Sequence, residues 1–145
     1  MKIVIGKPPV WNNVCNAFQI NPGITLFTYG DAIYNPGGAQ ITDDLMIHEQ
    51  VHGKQQKHND DEAALWWGKY LRDPEFRLSQ ELEAYAEQYK FLCRKIQNKQ
   101  QRFEIVKRMA TILSGPLYGN CISFGSAVLK ISEKAHEKDN TPSVC

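Results

Sequence analysis

Leu45-Met46-Ile47-His48-Glu49-Gln50-Val51-His52-Gly53-Lys54-Gln55-Gln56 is the stretch around which the rest of the chain can be placed. It holds His48, Glu49 and His52 in the pattern HExxH. A helix turns about 100° per residue, so positions four apart share one face, one turn along. Two imidazoles placed in this way reach a single zinc ion at about 2.0–2.1 Å. Glu49 falls off the line of the two histidines, where it can hold a water against the metal instead of binding it. The plain alternative is a helix in which the three residues fall together by chance. The surroundings speak against it: Ile41, Leu45, Val51 and the histidines make a mostly apolar helix with few charges before Lys54.

Working outward, Thr42-Asp43-Asp44 supplies a cap and an acidic first turn, and the motif helix is expected to run to about Lys57. On the N-terminal side, Lys2–Gly6 reads as a strand, and Pro8-Pro9 opens a short helix ending near Ile20. Ile24–Tyr29 and Ala32–Tyr34 read as two strands joined by a tight Gly30-Asp31 turn. On the C-terminal side, helices are expected over Ala63–Leu71, from Asp73-Pro74 to about Lys99, over Phe103–Ser114, and over Phe124–His136 with Ser123 as cap. The last residues, about 137–145, read as a loose polar tail. The fold class expected is α+β and mostly helical, one domain over 1–145. A small antiparallel hairpin or sheet near the N-terminus would pack on the motif helix, with three or four further helices around it.

A chain of 145 residues has room for one sizeable core. Its formal net charge of +1 argues against an electrostatic binder of nucleic acid or membrane. Six basic residues between Arg94 and Arg108 fall mostly on polar helix sides and read as a solvated face. No apolar run is long enough to span a bilayer, and Lys7-Pro8-Pro9 interrupts any secretory signal. Cys15, Cys93, Cys121 and Cys145 are irregularly spaced and read as reduced thiols, which fits a cytoplasmic setting. Nothing in the sequence sets an oligomeric state.

A catalytic zinc takes three protein ligands and keeps one position for water. His58 stands where the HExxHxxGxxH pattern places a third histidine, but Gln55 occupies the position of the turning glycine. A continuous helix would carry His58 about 9 Å past His52 along the axis. The other candidates are Glu81 and Glu83, about 200° apart on one helix. The apolar stripe Leu78, Leu82, Tyr85, Tyr89, Leu92, Cys93 and Ile96 puts Glu81 about 60° from its centre and Glu83 about 140° away, toward water. Ala84, one turn beyond Glu81 on the same side, would let two helices approach closely.

HExxH followed about thirty residues later by a helical Glu-x-x-Ala resembles the gluzincin class of zinc metallopeptidases. HEQVHGKQQ, WWGKYLRDPEFRLSQELEAYAEQ and LSGPLYGNCISFGSAV together resemble small HExxH proteins encoded by tailed bacteriophages and prophages, over roughly Ile33 to Ile131. The resemblance implies a zincin-like core, with an antiparallel edge strand above the motif helix and a second helix supplying a glutamate. It implies one zinc per chain, His48, His52 and Glu81 as its ligands, and Glu49 as general base. If the chain is phage-encoded, the compartment becomes the host cytoplasm, with a role in the virion as the other option. Tyr85 departs from the pattern, which often has at that position an acid supporting a metal histidine.

The chemistry expected is hydrolysis of a peptide or protein substrate, with Glu49 taking a proton from a zinc-activated water. Tyr118, in the loop Gly115-Pro116-Leu117-Tyr118-Gly119, is the candidate to stabilise the oxyanion, with Tyr85 as rival. A peptide could add to the edge strand Ile24–Tyr29 or Ala32–Tyr34. Gln55 lies on the ligand face and could hydrogen-bond near the site or merely pack. Two readings from other classes stand beside this one. The first is a non-catalytic, zinc-stabilised phage structural or adaptor module. The second is a metal-free binder of host proteins through Trp66-Trp67.

Overall fold

The computed structural model of the chain describes residues 1–137; Cys145 and nearly all of the expected tail lie outside them. The sheet is built on a two-residue hairpin. β2 (Phe27–Tyr29) and β3 (Ala32–Tyr34) pair antiparallel, with Thr28 opposite Ile33. Gly30, in the turn between them, has φ 60°. That conformation suits the first position of a type II′ turn, and a Cβ there would strike the Asp60 carboxylate. β1 (Lys2–Val4) joins the other side of β3, but in parallel. The sheet is therefore mixed, in the order β1-β3-β2, with β2 at an edge. α1 (Trp11–Ala17) lies in the connection that a parallel pairing requires.

The edge strand is shorter than Ile24–Tyr29. The amides of Ile24 and Thr25 donate to the Asn21 carbonyl at 3.2 and 3.1 Å, so the Asn21-Pro22-Gly23 turn claims them. Gly37 accommodates that turn: a Cβ on it would lie 2.5 Å from the Pro22 carbonyl oxygen.

Five helices follow the sheet: α2 (Asp43–Gln55), α3 (Asp60–Arg72), α4 (Pro74–Lys95), α5 (Lys99–Leu113) and α6 (Phe124–His136). The side chains of Asn59, Asp73, Asn98 and Ser123 accept amide hydrogens at the starts of α3 to α6. Each such cap stabilises by about 1 kcal/mol. α2 stops at Gln55, short of Lys57, in a Schellman motif. The His58 amide donates to the Gly53 carbonyl at 2.8 Å and the Lys57 amide to the Lys54 carbonyl at 2.9 Å. Lys57 and His58 take left-handed backbone, φ 52° and 49°, which disfavours a side chain by about 1–2 kcal/mol.

α4 is the hub, packed against α2, α3, α5 and α6. Leu82, Tyr89 and Cys93 join an apolar cluster with Val106, Leu113 and Ile131. A neighbouring face, Arg77, Glu81, Ala84 and Gln88, is also buried although three of its four members are polar. Glu81 and Gln88 of that face meet the histidines of α2. The chain is thus α+β and mostly helical. Among the described residues no helix is long and apolar enough to cross a membrane.

Candidate metal centre

His48 and His52 face one way from adjacent turns of α2, and α4 brings Glu81 to meet them. The Nε2 atoms of the two histidines are 3.2 Å apart. Glu81 Oε2 lies 3.3 Å from His48 Nε2, and Oε1 lies 3.6 Å from His52 Nε2. A tetrahedral metal with bonds of about 2.0–2.1 Å separates its ligand atoms by about 3.3–3.4 Å. The observed separations are close to that spacing, so the three side chains can share one ion. All three residues are buried.

Hydrogen bonds decide which nitrogens face the centre. Gln88 Nε2 donates to Asp44 Oδ2 at 2.7 Å, so its carbonyl oxygen turns to His48 Nδ1 at 3.1 Å. Gln55 Nε2 donates to the Gln80 carbonyl and to Glu83, so its carbonyl oxygen turns to His52 Nδ1 at 2.8 Å. Each imidazole then carries its proton on Nδ1 and presents a lone pair at Nε2. Glu81 adds a carboxylate whose Oε2 is the one fully buried side-chain polar atom without a hydrogen bond among the described residues. Acceptors converging at this range repel each other unless a cation lies between them. A proton is the minimal one. Burial alone would lower the His52 pKa, but the Glu81 carboxylate beside it raises it to about 9. Burial would likewise raise the Glu81 pKa, and His52 with His48 holds it far below the ordinary carboxylate range. The group can hold a metal ion.

The remaining side chains complete the walls. Glu49 is buried beside the histidines and accepts from the Thr28 hydroxyl of β2 at 2.8 Å. Tyr70 donates to Glu81 Oε1 at 2.6 Å, which fixes the carboxylate and raises the phenol's own pKa through burial and the carboxylate's charge. Tyr118 ends a short 3₁₀ helix, Pro116–Tyr118, and its hydroxyl is 3.0 Å from that of Tyr85. The Tyr85 ring in turn meets His48 edge-on at 4.6 Å. Buried Arg77 donates to the backbone carbonyls of Tyr118 and Tyr70, at 3.0 and 2.6 Å, and so holds both tyrosines. A cavity of about 50 Å³ lies among His48, Glu49, His52, Glu81 and Tyr118, room for an ion and a water.

The structure brings together His48, Glu49, His52, Glu81 and Tyr118. Glu83 is exposed and accepts from Gln55. His58 does lie away from the centre, but not because the helix continues. The Schellman turn reverses the chain, and His58 Nδ1 sits 3.3 Å from the Asp31 carboxylate. Trp66 and Trp67 are buried, with their indole N–H groups bonded to Gln80 and to the Thr28 carbonyl, so they offer no docking face. That same carbonyl also accepts from Gln56, and an incoming strand finds it taken.

Sequence reasoning missed Thr28, Tyr70, Arg77 and Gln88. For Arg77 and Gln88 a signal existed: with Glu81 and Ala84 they form a helical stripe spaced by four, three and four residues. Thr28 and Tyr70 carried none, since a strand threonine and a helix tyrosine have ordinary explanations. Comparison with protein-family models, curated proteins and solved structures finds no match to this chain.

Proposed function

We propose that this chain is a zinc-dependent hydrolase acting on peptide bonds, with a zincin-like arrangement of its motif helix, edge strand and glutamate helix. The observation that carries the reading is the convergence of three buried acceptors, one of them an unsatisfied carboxylate oxygen, with a second buried acid, Glu49, beside them that is not part of the set. Two imidazoles and one carboxylate suit zinc and leave one position open. Zinc bound there supplies a Lewis acid that acidifies a water and polarises a carbonyl.

The protein's own residues divide the rest. His48, His52 and Glu81 hold the ion, and Gln55, Gln88 and Tyr70 hold those three in place. Glu49 takes the proton of the attacking water. Thr28 occupies Glu49 Oε2 and leaves the other carboxylate oxygen to receive it. The Tyr85 and Tyr118 hydroxyls share one hydrogen bond, which spends one phenolic proton and leaves the second to meet an oxyanion. Burial pushes both phenols well above their ordinary pKa, so both keep their protons at neutral pH.

The experiment is a peptide-library cleavage assay on the zinc-loaded parent and Glu49→Gln. The variant is expected to keep zinc and fold and to lose hydrolysis by about 10²–10⁴-fold. Unchanged turnover would refute Glu49 as the base. A zinc-loaded parent that cleaves nothing would favour a metal site that only stabilises the fold.

A further inference from the structure

Beside the metal cavity lies a groove of about 360 Å³, between the 24–26 segment, the start of α2, α4 and α5. The two spaces share Thr25, Leu26, His48, Glu49, Leu117 and Tyr118 as walls. A molecule reacting at Glu49 can therefore place its neighbouring part here. The groove is near the lower end of ligand-site volumes, enough for one or two residues.

Its chemistry follows from which polar groups remain unspent. Gln88 is committed to His48 and Asp44, and Asp44 to Gln88. The Thr25 hydroxyl donates to the Asn21 carbonyl, and of the two phenolic protons of Tyr85 and Tyr118 one is spent in their mutual bond and the other faces the reacting centre. Arg108 is different. It is exposed on the rim, and among the described residues it acts on Glu104, four residues earlier on α5, through its charge alone. Apart from His48 and Glu49, the other walls are apolar, including Leu45, Leu92 and Met109, and Ile24 and Ile112 stand exposed at 71% and 47%. A large apolar side chain loses nothing there, and Arg108 complements an anion.

We propose that this groove selects the substrate: a peptide with a Leu-, Met- or Phe-sized side chain next to the scissile bond and a carboxylate within two residues of it, held by Arg108. The proposal rests on the hydrolase reading, and two separate measurements keep the two apart.

The first uses the zinc-loaded full chain with a library of peptides varied on both sides of the cleaved bond. Cleavage is expected to concentrate at large apolar residues with a nearby acid. Arg108→Glu should lower kcat/KM on the acidic peptides by about five- to tenfold and leave zinc content unchanged. Ile112→Asp, also at an exposed position, should weaken the apolar preference. Cleavage with no such preference, or a preference that Arg108→Glu leaves intact, overturns the groove assignment while hydrolysis stands. The second measurement is fluorescence anisotropy of Leu-Asp- and Ser-Lys-centred probe peptides on zinc-loaded Glu49→Gln. Selective binding of the first probe, weakened about five- to tenfold by adding Arg108→Glu, supports the groove even if the parent cleaves nothing, in which case only the hydrolase reading falls. Equal binding of the two probes, or none, overturns the groove.

Discussion

One face of α4 carries Leu78, Leu82, Tyr89 and Cys93 into the apolar cluster with α5 and α6. The face about 100° round the helix carries Arg77, Glu81, Ala84 and Gln88, and two of these meet the histidines of α2. Both faces pack against neighbouring helices, the first mostly half-buried and the second buried, and by different physics. The first needs only apolar area and volume, so it tolerates exchange among residues of like size. The second buries charge and hydrogen-bonding groups, which cost several kcal/mol unless every one finds a partner. Gln88, Gln55, Tyr70 and the backbone carbonyls around Arg77 supply those partners, and Glu81 Oε2 alone is left over. A stable protein gains nothing from that last omission unless something else fills it. The contrast puts the group that can hold a metal ion on the face that spends stability.

Substitutions on the two faces should therefore fail in different ways. Glu81→Ala removes a ligand and should weaken zinc binding beyond the roughly 10–100-fold carried by partners outside the ligand set, measured by competition with a chelator. Tyr89→Ala on the apolar face should cost about 3 kcal/mol in chemical denaturation but leave zinc per folded chain unchanged. If Tyr89→Ala also strips the metal, the two faces are not separable. Gln88→Ala and Gln55→Ala free one imidazole each to rotate or change tautomer. Each should weaken zinc by about 10–100-fold with little change in the secondary-structure signal. Glu83→Ala, at the exposed end of the Gln55 bond, should stay within about 0.5 kcal/mol of the parent in stability. Loss of metal there would mean that the wrong glutamate has been assigned.

The apolar periodicities, the caps at Asp73 and Ser123 and the HExxH pattern were legible because each depends on residues close in sequence. The stripe also separated Glu81 from Glu83 by helical phase, a local property. The parallel seat of β1 on β3 was not legible, because it joins residues about thirty apart through a connection of no fixed pattern. The early stop of α2 was hidden because Lys57 and His58 stand where glycine or asparagine usually signals the turn. Gln88 escaped for a different reason: a glutamine on a helix reads as solvated until the helix packed against it is known to carry a histidine.

The central claim is that His48, His52 and Glu81 hold one metal ion. Its most direct test is elemental analysis of the purified full chain, and of His48→Ala beside it, after zinc is offered and excess removed by dialysis. The account predicts one zinc per parent chain and none in the variant. A parent that is fully folded by circular dichroism and gel filtration yet retains no metal would contradict it.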